Sequence, residues 1–313
     1  MSRIPDWTRA WGDPLFAGRI RSVPEDFVVS EHLDIEFAGE GEHDWLRIEK
    51  TGANTAWVAG QLAKHAGIPE RDVGYSGLKD RHAVTTQWFS VKREIRNPTK
   101  WDSFELDGIR ILEQHVHNRK LKRGMHRSNQ FRIAVRSDVI QSVADKVAER
   151  LARIAKEGVP NYFGEQRFGR NGANIELGKA VLDGKRQPRN KRSIGISAIR
   201  SFEFNKELDA RVRDGAWNRL QPGDYANLDG TGSGFDVGEV TPELEQRCNE
   251  LDVHPTGVLP AFDSLRVEAA RRPLRMRVVN LEWRLEDSVV WIEFSLGRGS
   301  YATAVLREFT MIS

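Results

Sequence analysis

Two alternating segments close to the C-terminus constrain the fold of this 313-residue chain more than any other feature. Residues 276–285 and 288–296 alternate apolar and polar side chains on either side of a Glu286-Asp287 turn, which predicts a long β-hairpin. A hairpin alone is marginally stable in water, so these strands must join a larger sheet. If they join strands from the first half of the chain, residues 158–275 form a domain inserted into another domain.

The first half of the chain offers strands for such a sheet, followed by helices that can cover it. Period-two alternation or β-branched and aromatic content predicts strands within 27–31, 45–50, 73–76, 87–91, 104–112 and 129–135. Helices are predicted from Asn54-Thr55 to Gly67 and over 138–157, where an apolar stripe ends before Pro160. We therefore predict an α+β fold with a mainly antiparallel sheet and helices on one face.

Composition excludes several classes of protein. The single cysteine, Cys248, rules out an internal disulfide and a CxxC zinc site. The first residues carry no apolar run typical of a signal peptide, and no stretch approaches the roughly 20 apolar residues of a membrane span. We expect a cytoplasmic protein. The formal net charge of +3 and the pI of about 9.0 leave nucleic-acid binding to be decided by local clustering.

One polar loop stands out as a candidate catalytic site. Asp80 lies between two predicted strands and is flanked by Lys79 and Arg81. Neighbouring cations favour the ionised carboxylate, which suits a nucleophile or a base. The competing interpretation is a solvated hairpin loop whose charges simply balance.

Two basic clusters indicate contact with phosphate groups. No carboxylate occurs between His115 and Arg127, and the strand that follows offers an amide and an aromatic ring, Asn129 and Phe131. A flipped base needs hydrogen bonds to its edge and stacking on its face, which such residues provide. A solvated charged face remains the alternative. The cations of the two clusters are Arg119, Lys120, Lys122, Arg123 and Arg127, and then Lys185, Arg186, Arg189, Lys191 and Arg192.

Three further segments are rich in turn residues. Residues 160–170 combine aromatics, glycines and a charge pair, which indicates a structured and functional loop. The Gly230–Gly234 run lacks the lysine of a P-loop and is interpreted as a flexible turn. His254–Gly257 is also predicted to be a turn.

Several motifs together resemble the TruD family of pseudouridine synthases. They are GLKDRHAVTTQWFS from Gly77, NYFGEQRFG from Asn161 and GRGSYATAVLRE from Gly297, supported by PEDFVVSE from Pro24 and HPTG from His254. They occur in the same order over nearly the whole chain. The resemblance implies a pseudouridine-synthase-type catalytic domain at 1–157 and 276–313. It also implies an inserted TruD-specific α/β domain at 158–275.

The resemblance further implies an isomerase acting on uridine 13 of transfer RNA, with neither metal nor organic cofactor. Asp80 is then the nucleophile, and Phe27, Asn129, Phe131 and Tyr301 line the uridine pocket; Tyr301 stands where the family usually has phenylalanine. Arg21, Lys79 and Arg81 are candidate charge partners of Asp80, and the sequence leaves the choice open. No membrane or obligate protein partner is expected, and the chain is predicted to be a monomer.

Two other functions remain to be tested. A non-catalytic RNA-binding protein would use the same basic clusters and aromatic residues. A hydrolase acting on a glycosidic bond normally needs two carboxylates, and no second one is placed convincingly near Asp80.

Overall fold

The structure, a computed structural model, describes residues 4–228 and 233–312. Three residues of the turn expected at Gly230–Gly234, residues 230–232, lie outside this part of the chain. The helices are α1 (Thr55–Ala66), α2 (Ile140–Glu157), α3 (Ala173–Leu182), α4 (Arg189–Arg213), α5 (Pro242–Glu250) and α6 (Ala302–Leu306). The strands are β1 (Phe16–Gly18), β2 (Phe27–His32), β3 (His43–Lys50), β4 (Val73–Tyr75), β5 (Val84–Lys92), β6 (Ile109–His117), β7 (Ser128–Arg136), β8 (Val159–Pro160), β9 (Tyr225–Leu228), β10 (Gly234–Asp236), β11 (Val253–Leu259), β12 (Ala270–Pro273), β13 (Arg275–Met276), β14 (Val279–Glu286), β15 (Val289–Gly297) and β16 (Thr310–Ile312).

The chain divides into two compact units. The sheet unit contains residues 16–148, 279–299 and 312. The helical unit contains residues 4–15, 149–228, 233–278 and 300–311. The predicted domain boundaries at 157/158 and 275/276 stay a prediction, since these units describe compactness alone.

The sheet unit is built on one large sheet with the strand order β14-β15-β7-β2-β5-β3-β6, and β4 pairs with β5. Its pairings are antiparallel except for the parallel pairing of β2 with β5. The C-terminal hairpin β14–β15 joins this sheet through β7, in a register that runs from Val289 opposite Arg136 to Gly297 opposite Ser128. The predicted α+β class, with a mainly antiparallel sheet completed by the C-terminal hairpin, is confirmed.

Helix α1 covers part of this sheet and confirms the helix predicted after Asn54. The Asn54 side chain accepts a hydrogen bond from the Trp57 N–H, and Gly67 ends the helix with a φ of 67°. Val58 and Leu62 of α1 are fully buried in a cluster with side chains of β3 and β5, including Phe89. Burying a side chain of this size contributes about 1.5–3 kcal/mol, so this packing fixes the strands beside the Asp80 loop.

The helical unit is organised around α4, a helix that was not predicted from the sequence. Helices α3 and α4 approach closely where Gly178 faces Gly195. A Cβ atom on Gly195 would lie only 2.7 Å from the Gly178 nitrogen, so there is no room for a side chain at this position. The α4 side chain of Asn205 accepts a hydrogen bond from the Phe163 N–H and donates one to the Phe163 carbonyl. This pair holds the NYFG segment against α4, which makes the segment the structured loop that was predicted.

The turn predicted at His254–Gly257 is wrong. These residues lie within β11, where His254 pairs with Asn227 on one side and Thr256 pairs with Pro273 on the other. The four-stranded sheet β10-β9-β11-β12 supplies partners on both edges of β11. Tertiary pairing therefore overrides the turn preference of proline and glycine. Within the described ranges, no helix is long and apolar enough to cross a membrane.

Candidate active site

Asp80 lies in the loop between β4 and β5, with about a third of its side chain exposed (36%). One carboxylate oxygen, Oδ2, lies 2.7 Å from a guanidinium nitrogen of Arg21. The other, Oδ1, accepts a hydrogen bond of 3.0 Å from the His82 N–H. The carboxylate is thus held from two sides while it remains accessible to a ligand.

Arg21 adopts an unusual backbone conformation. Its φ of 60° lies in the left-handed region, which costs a residue with a side chain on the order of 1–3 kcal/mol. The same guanidinium group lies over the ring of Phe27, 4.2 Å from its centroid. Arg21 therefore links the aspartate to an aromatic residue, and strain of this kind is common at functional sites.

The other two candidate partners make different contacts. Lys79 is 7% exposed and forms an ion pair of 2.7 Å with the fully buried carboxylate of Glu31. The Nε of Arg81 donates to the carbonyl of Gly52 at 2.9 Å. Both side chains anchor the segments on either side of Asp80.

Lys50 holds the backbone of the Asp80 loop and was not singled out from the sequence. Its fully buried ammonium group donates to the Asp80 carbonyl at 2.9 Å and to the Ala53 carbonyl at 2.7 Å. Burial lowers the pKa of Lys50 to about 8, and the charge of Asp80 opposes this shift. A signal was present in the sequence, because Lys50 has the same parity in its strand as the buried Leu46 and Ile48.

A small buried hydrogen-bond network completes the support of the loop. The Thr55 hydroxyl accepts from the Lys79 N–H at 2.9 Å and donates to the Gln87 side chain at 2.8 Å. Gln87 in turn donates to the Gly77 carbonyl at 3.2 Å. From the sequence, Thr55 was recognisable only as part of a helix start. Its role could not be recognised because Thr55 and Gln87 meet only through tertiary contacts.

The candidate pocket residues Phe27, Asn129 and Phe131 lie on the neighbouring strands β2 and β7. The rings of Phe27 and Phe131 are 6.3 Å apart, edge to face, and are 4% and 8% exposed. Asn129 pairs with Glu31 across the two strands. Its buried Oδ1 has no hydrogen-bond partner within the described ranges, which is uncommon and indicates a position where a ligand can bind.

Tyr301, the remaining candidate pocket residue, belongs to the helical unit. It precedes α6 as its N-cap residue, and its ring contacts Phe163 edge to face with centroids 6.1 Å apart. Its role in holding uracil stays a prediction.

The two basic clusters differ in how far their charges are engaged. In the cluster at 119–127, Arg127 pairs with Asp34, Arg123 lies over the Tyr75 ring, and Lys120 donates to the Arg71 carbonyl. Arg119 and Lys122 have exposed side chains. In the second cluster, Lys185, Arg186, Arg189, Lys191 and Arg192 are all exposed.

His126 lies beside the site, where Ser76 is its hydrogen-bond partner. Its Nδ1 is 2.6 Å from the Ser76 hydroxyl, and burial lowers its pKa, as does the charge of Lys79. Across residues 4–228 and 233–312, no three His, Cys, Asp or Glu side chains are grouped as metal ligands. The site therefore consists of a paired carboxylate, an amide and aromatic residues, a set suited to covalent chemistry on a nucleobase.

Known proteins of one kind resemble this chain over nearly its full length. The family model of tRNA pseudouridine synthase D (TruD) matches residues 8–188 and 225–309. A tRNA pseudouridine synthase D from Methylococcus capsulatus is 41% identical, covering 97% of this chain and 94% of the relative. The protein of the same name from Proteus mirabilis is 38% identical, covering 100% and 97%.

A solved structure supports the fold. A crystal structure of a Methanosarcina mazei protein assigned to tRNA pseudouridine synthase D (TruD) superposes with a TM-score of 0.73 at 20% identity. The match covers 99% of this chain and 96% of that one. The chain belongs to the tRNA pseudouridine synthase D (TruD) family.

Proposed function

We propose that this protein isomerises uridine to pseudouridine in transfer RNA, at position 13, with Asp80 as the nucleophile. The observation that carries the proposal is the Asp80 carboxylate, which is partly exposed and held 2.7 Å from Arg21. The relatives that match nearly the whole chain are named tRNA pseudouridine synthase D, and these names support the reaction class.

The reaction is an isomerisation and balances without a co-reactant. The bond between C1′ of the ribose and N1 of uracil breaks, and a bond between C1′ and C5 forms. The proton leaves C5, and N1 gains one. A carboxylate can attack C1′ or C6 and hold the two halves together while the base turns. Both positions of attack remain open.

The neighbouring residues have roles suited to a flipped base. Asn129 offers an amide to the edge of uracil, and its unpartnered Oδ1 is suited to accept from the N3–H. Phe27, Phe131 and Tyr301 supply aromatic surface for the ring. Arg21 lies over Phe27, so a base that stacks there must displace or slide along the guanidinium group. The pairing of Arg21 with Asp80 keeps the nucleophile oriented until the base arrives.

The test is to compare the wild-type protein with Asp80→Asn on unmodified tRNA transcripts, by mapping pseudouridine at single-nucleotide resolution. We expect Asp80→Asn to fold and bind tRNA but to lose turnover by several orders of magnitude. Asp287→Asn, which changes an exposed aspartate of the β14–β15 turn, is the matched control. Activity of Asp80→Asn within tenfold of wild type would remove Asp80 as the nucleophile.

A second comparison separates catalysis from simple RNA binding and tests the position. A transcript with cytidine at position 13 should bind but yield no pseudouridine. Pseudouridine at another position would refute the assignment to position 13. If the wild-type protein binds tRNA and forms no pseudouridine at all, the protein is an RNA-binding protein without this activity.

A further inference from the structure

The helical unit contains a cavity of about 470 Å³ beside the first half of α4. Helix residues 189–201 form one wall, and the NYFGEQRFG segment contributes Phe163 and Arg167. Leu259, at the end of β11, also lines the cavity, as do Leu265 and Val267. Volumes of this order hold small organic ligands in other proteins.

The charge of this cavity is entirely positive. Arg167, Arg189, Arg192 and Arg200 line it, and no carboxylate does. None of these four arginines forms an ion pair with an acidic side chain of the described ranges. Arginines gathered without a counter-charge repel one another, so an anion bound among them would lower the energy of the folded protein.

Two of the arginines also carry unused hydrogen-bonding capacity. Arg167 donates to the Ser197 hydroxyl at 3.1 Å, and Arg200 donates to the Glu268 carbonyl at 2.7 Å. The Nε of each is nevertheless buried without a partner in the part of the chain that is described. Buried donors are nearly always satisfied, so these two indicate a missing acceptor.

The start of α4 supplies an independent argument for an anion. Its N-cap residue is Pro188, which offers no side-chain oxygen to the first backbone N–H groups. Its first turn has no acidic residue but contains Arg189 and Arg192, although cations are unfavourable at a helix N-terminus. The Lys191 N–H already donates to the Asn190 side chain at 2.8 Å, so a phosphate group would be bound by the other N–H groups of the first turn and by the arginines.

The rest of the cavity wall combines apolar side chains with the hydroxyls of Ser193, Ser197 and Ser201. Phe163 and Ile196 are buried, and Leu259, Leu265 and Val267 are half-buried. Guanidinium planes beside apolar side chains form the surface on which unpaired bases stack. A ligand with one anionic end and one flat, largely apolar end fits this combination, and a nucleotide has both.

We propose that this cavity binds one nucleotide of the substrate RNA other than the target uridine, with its phosphate on the arginines and its base against the apolar side chains. This inference rests on the proposed function. No carboxylate lines the cavity, so it lacks the kind of nucleophile that the proposed isomerisation uses. Binding the nucleotide would position the RNA and contribute to the choice of substrate.

The test uses a set of tRNA transcripts in which one nucleotide at a time, outside the target position, lacks its base. Pseudouridine formation is measured with the wild-type protein and with Ser193→Phe, which fills the cavity from an exposed helix position. For one position, loss of the base should raise KM about ten- to a hundredfold in the wild-type protein. The same loss should cost Ser193→Phe less than about twofold, because the base no longer has a site.

A second pair of variants tests the phosphate. The double variant Arg189→Gln/Arg192→Gln should raise KM for every transcript, including the abasic one, and leave kcat unchanged. Lys206→Gln is the matched control, since Lys206 is exposed on the same helix, pairs with Glu203 and does not line the cavity. All variants should melt within about two degrees of the wild-type protein.

The outcomes distinguish this inference from the proposed function. If the wild-type protein forms pseudouridine but every abasic substitution costs it and Ser193→Phe the same factor, the cavity does not bind a base and the inference is wrong. If the double variant keeps its KM, the cavity does not bind a phosphate. A wild-type protein without activity would instead refute the proposed function.

A free nucleotide carries the same phosphate and base as a nucleotide of RNA, so it is the alternative ligand for this cavity. Titration of the full chain with the four nucleoside 5′-monophosphates, followed by NMR, distinguishes free nucleotides from RNA. Weak binding that Ser193→Phe abolishes supports the inference. Micromolar binding of a free nucleotide together with unchanged tRNA kinetics in Ser193→Phe would overturn the assignment to RNA.

Discussion

Lys50 shows how a single buried charge can hold a loop through its backbone, here the loop of the proposed nucleophile Asp80. It contacts the backbone of Asp80, whereas Arg21 contacts the carboxylate, so backbone and side chain of one residue are held by two different cations. Burying an ammonium group is costly, and its hydrogen bonds to two carbonyl groups offset part of that cost. We therefore expect Lys50 to act as a positioning residue for Asp80.

Replacing Lys50 by methionine should reduce kcat at least tenfold with little change in tRNA affinity. Methionine keeps the apolar stem but removes the donors to Asp80 and Ala53, which frees the loop and misplaces the carboxylate. Single-turnover rates and binding constants check this expectation. Lys64→Met, which changes an exposed lysine of α1, is the control. A Lys50→Met rate within twofold of wild type would contradict the role.

The lowered pKa of Lys50 should also make the free energy of unfolding depend on pH. The pKa of Lys50 is about 8 in the folded protein, against an ordinary value of 10.5. Between these values the unfolded chain binds more protons, so the free energy of unfolding gains up to about 1.4 kcal/mol per pH unit. The stability difference between wild type and Lys50→Met should widen in favour of wild type above pH 8. A pH-independent difference would argue against a buried lysine.

At the scale of elements, the turn that leads into β2 fixes the position of Phe27, the first residue of that strand. Asp26 ends the short helix Pro24–Asp26 and is fully buried. Arg136 of β7 donates to its two oxygens at 2.6 and 2.9 Å, and the Val23 N–H donates at 3.3 Å. The hydrogen bonds from Arg136 lower the pKa of Asp26 against the opposing effect of burial. One buried carboxylate thus joins two adjacent strands of the site.

Asp26→Asn should lower the free energy of unfolding by about 1–3 kcal/mol at neutral pH, because the charged hydrogen bonds to Arg136 are lost. Since the pKa of Asp26 is lowered on folding, its stabilisation is complete above about pH 4 and is lost as the pH falls through the folded value. The difference between wild type and Asp26→Asn should therefore shrink in acid, as urea titrations at several pH values would show.

The control for this prediction is Asp34→Asn. Asp34 forms an ion pair of 2.7 Å with Arg127, but both side chains are about 70% exposed (71% and 70%). Such surface pairs contribute less than about 1 kcal/mol. If the two variants lose equal stability at neutral pH, the buried pair has no special role.

For the whole molecule, the small net charge does not reveal that basic residues are clustered at two places on the chain. The formal net charge is only +3 among 48 basic and 45 acidic residues, yet each unit carries one of the two basic clusters. In the helical unit, the exposed cations at 185–192 have no acidic partner within the described part of the chain. Local density of this kind, more than net charge, produces affinity for a phosphate backbone.

Neutralising three cations in either cluster should weaken tRNA binding and flatten its salt dependence. The triple variants are Arg119→Gln/Lys122→Gln/Arg127→Gln and Lys185→Gln/Arg186→Gln/Lys191→Gln. Each lost phosphate contact should remove about 0.7–0.9 from the slope of log K against log salt concentration. Binding measured at several salt concentrations gives this slope.

The control replaces three exposed cations that lie outside both clusters and pair with carboxylates, Lys179, Lys206 and Arg284. It removes the same charge without removing a predicted contact. If a cluster variant and this control change the slope equally, that cluster is a solvated surface.

Local patterns in the sequence were sufficient for much of the fold. Alternation predicted the C-terminal hairpin and the strand at Ser128–Arg136, and caps and apolar stripes predicted α1 and α2. These signals are local because side-chain direction repeats every two residues in a strand and every 3.6 in a helix. Motif order indicated the TruD family, which the comparisons confirmed.

Contacts between distant segments were decided only by the tertiary structure. The sequence offered three cations for Asp80, and the fold pairs it with Arg21 and directs Lys79 to Glu31. The fold also places Pro255 inside a strand, and it brings the Lys50 ammonium group to the carbonyl of Asp80. By itself, the sequence determined which elements form and which residues are chemically able to act. The tertiary structure decided which of them meet, because burial, partner strands and the cost of an unpaired charge depend on neighbours that are remote in the chain.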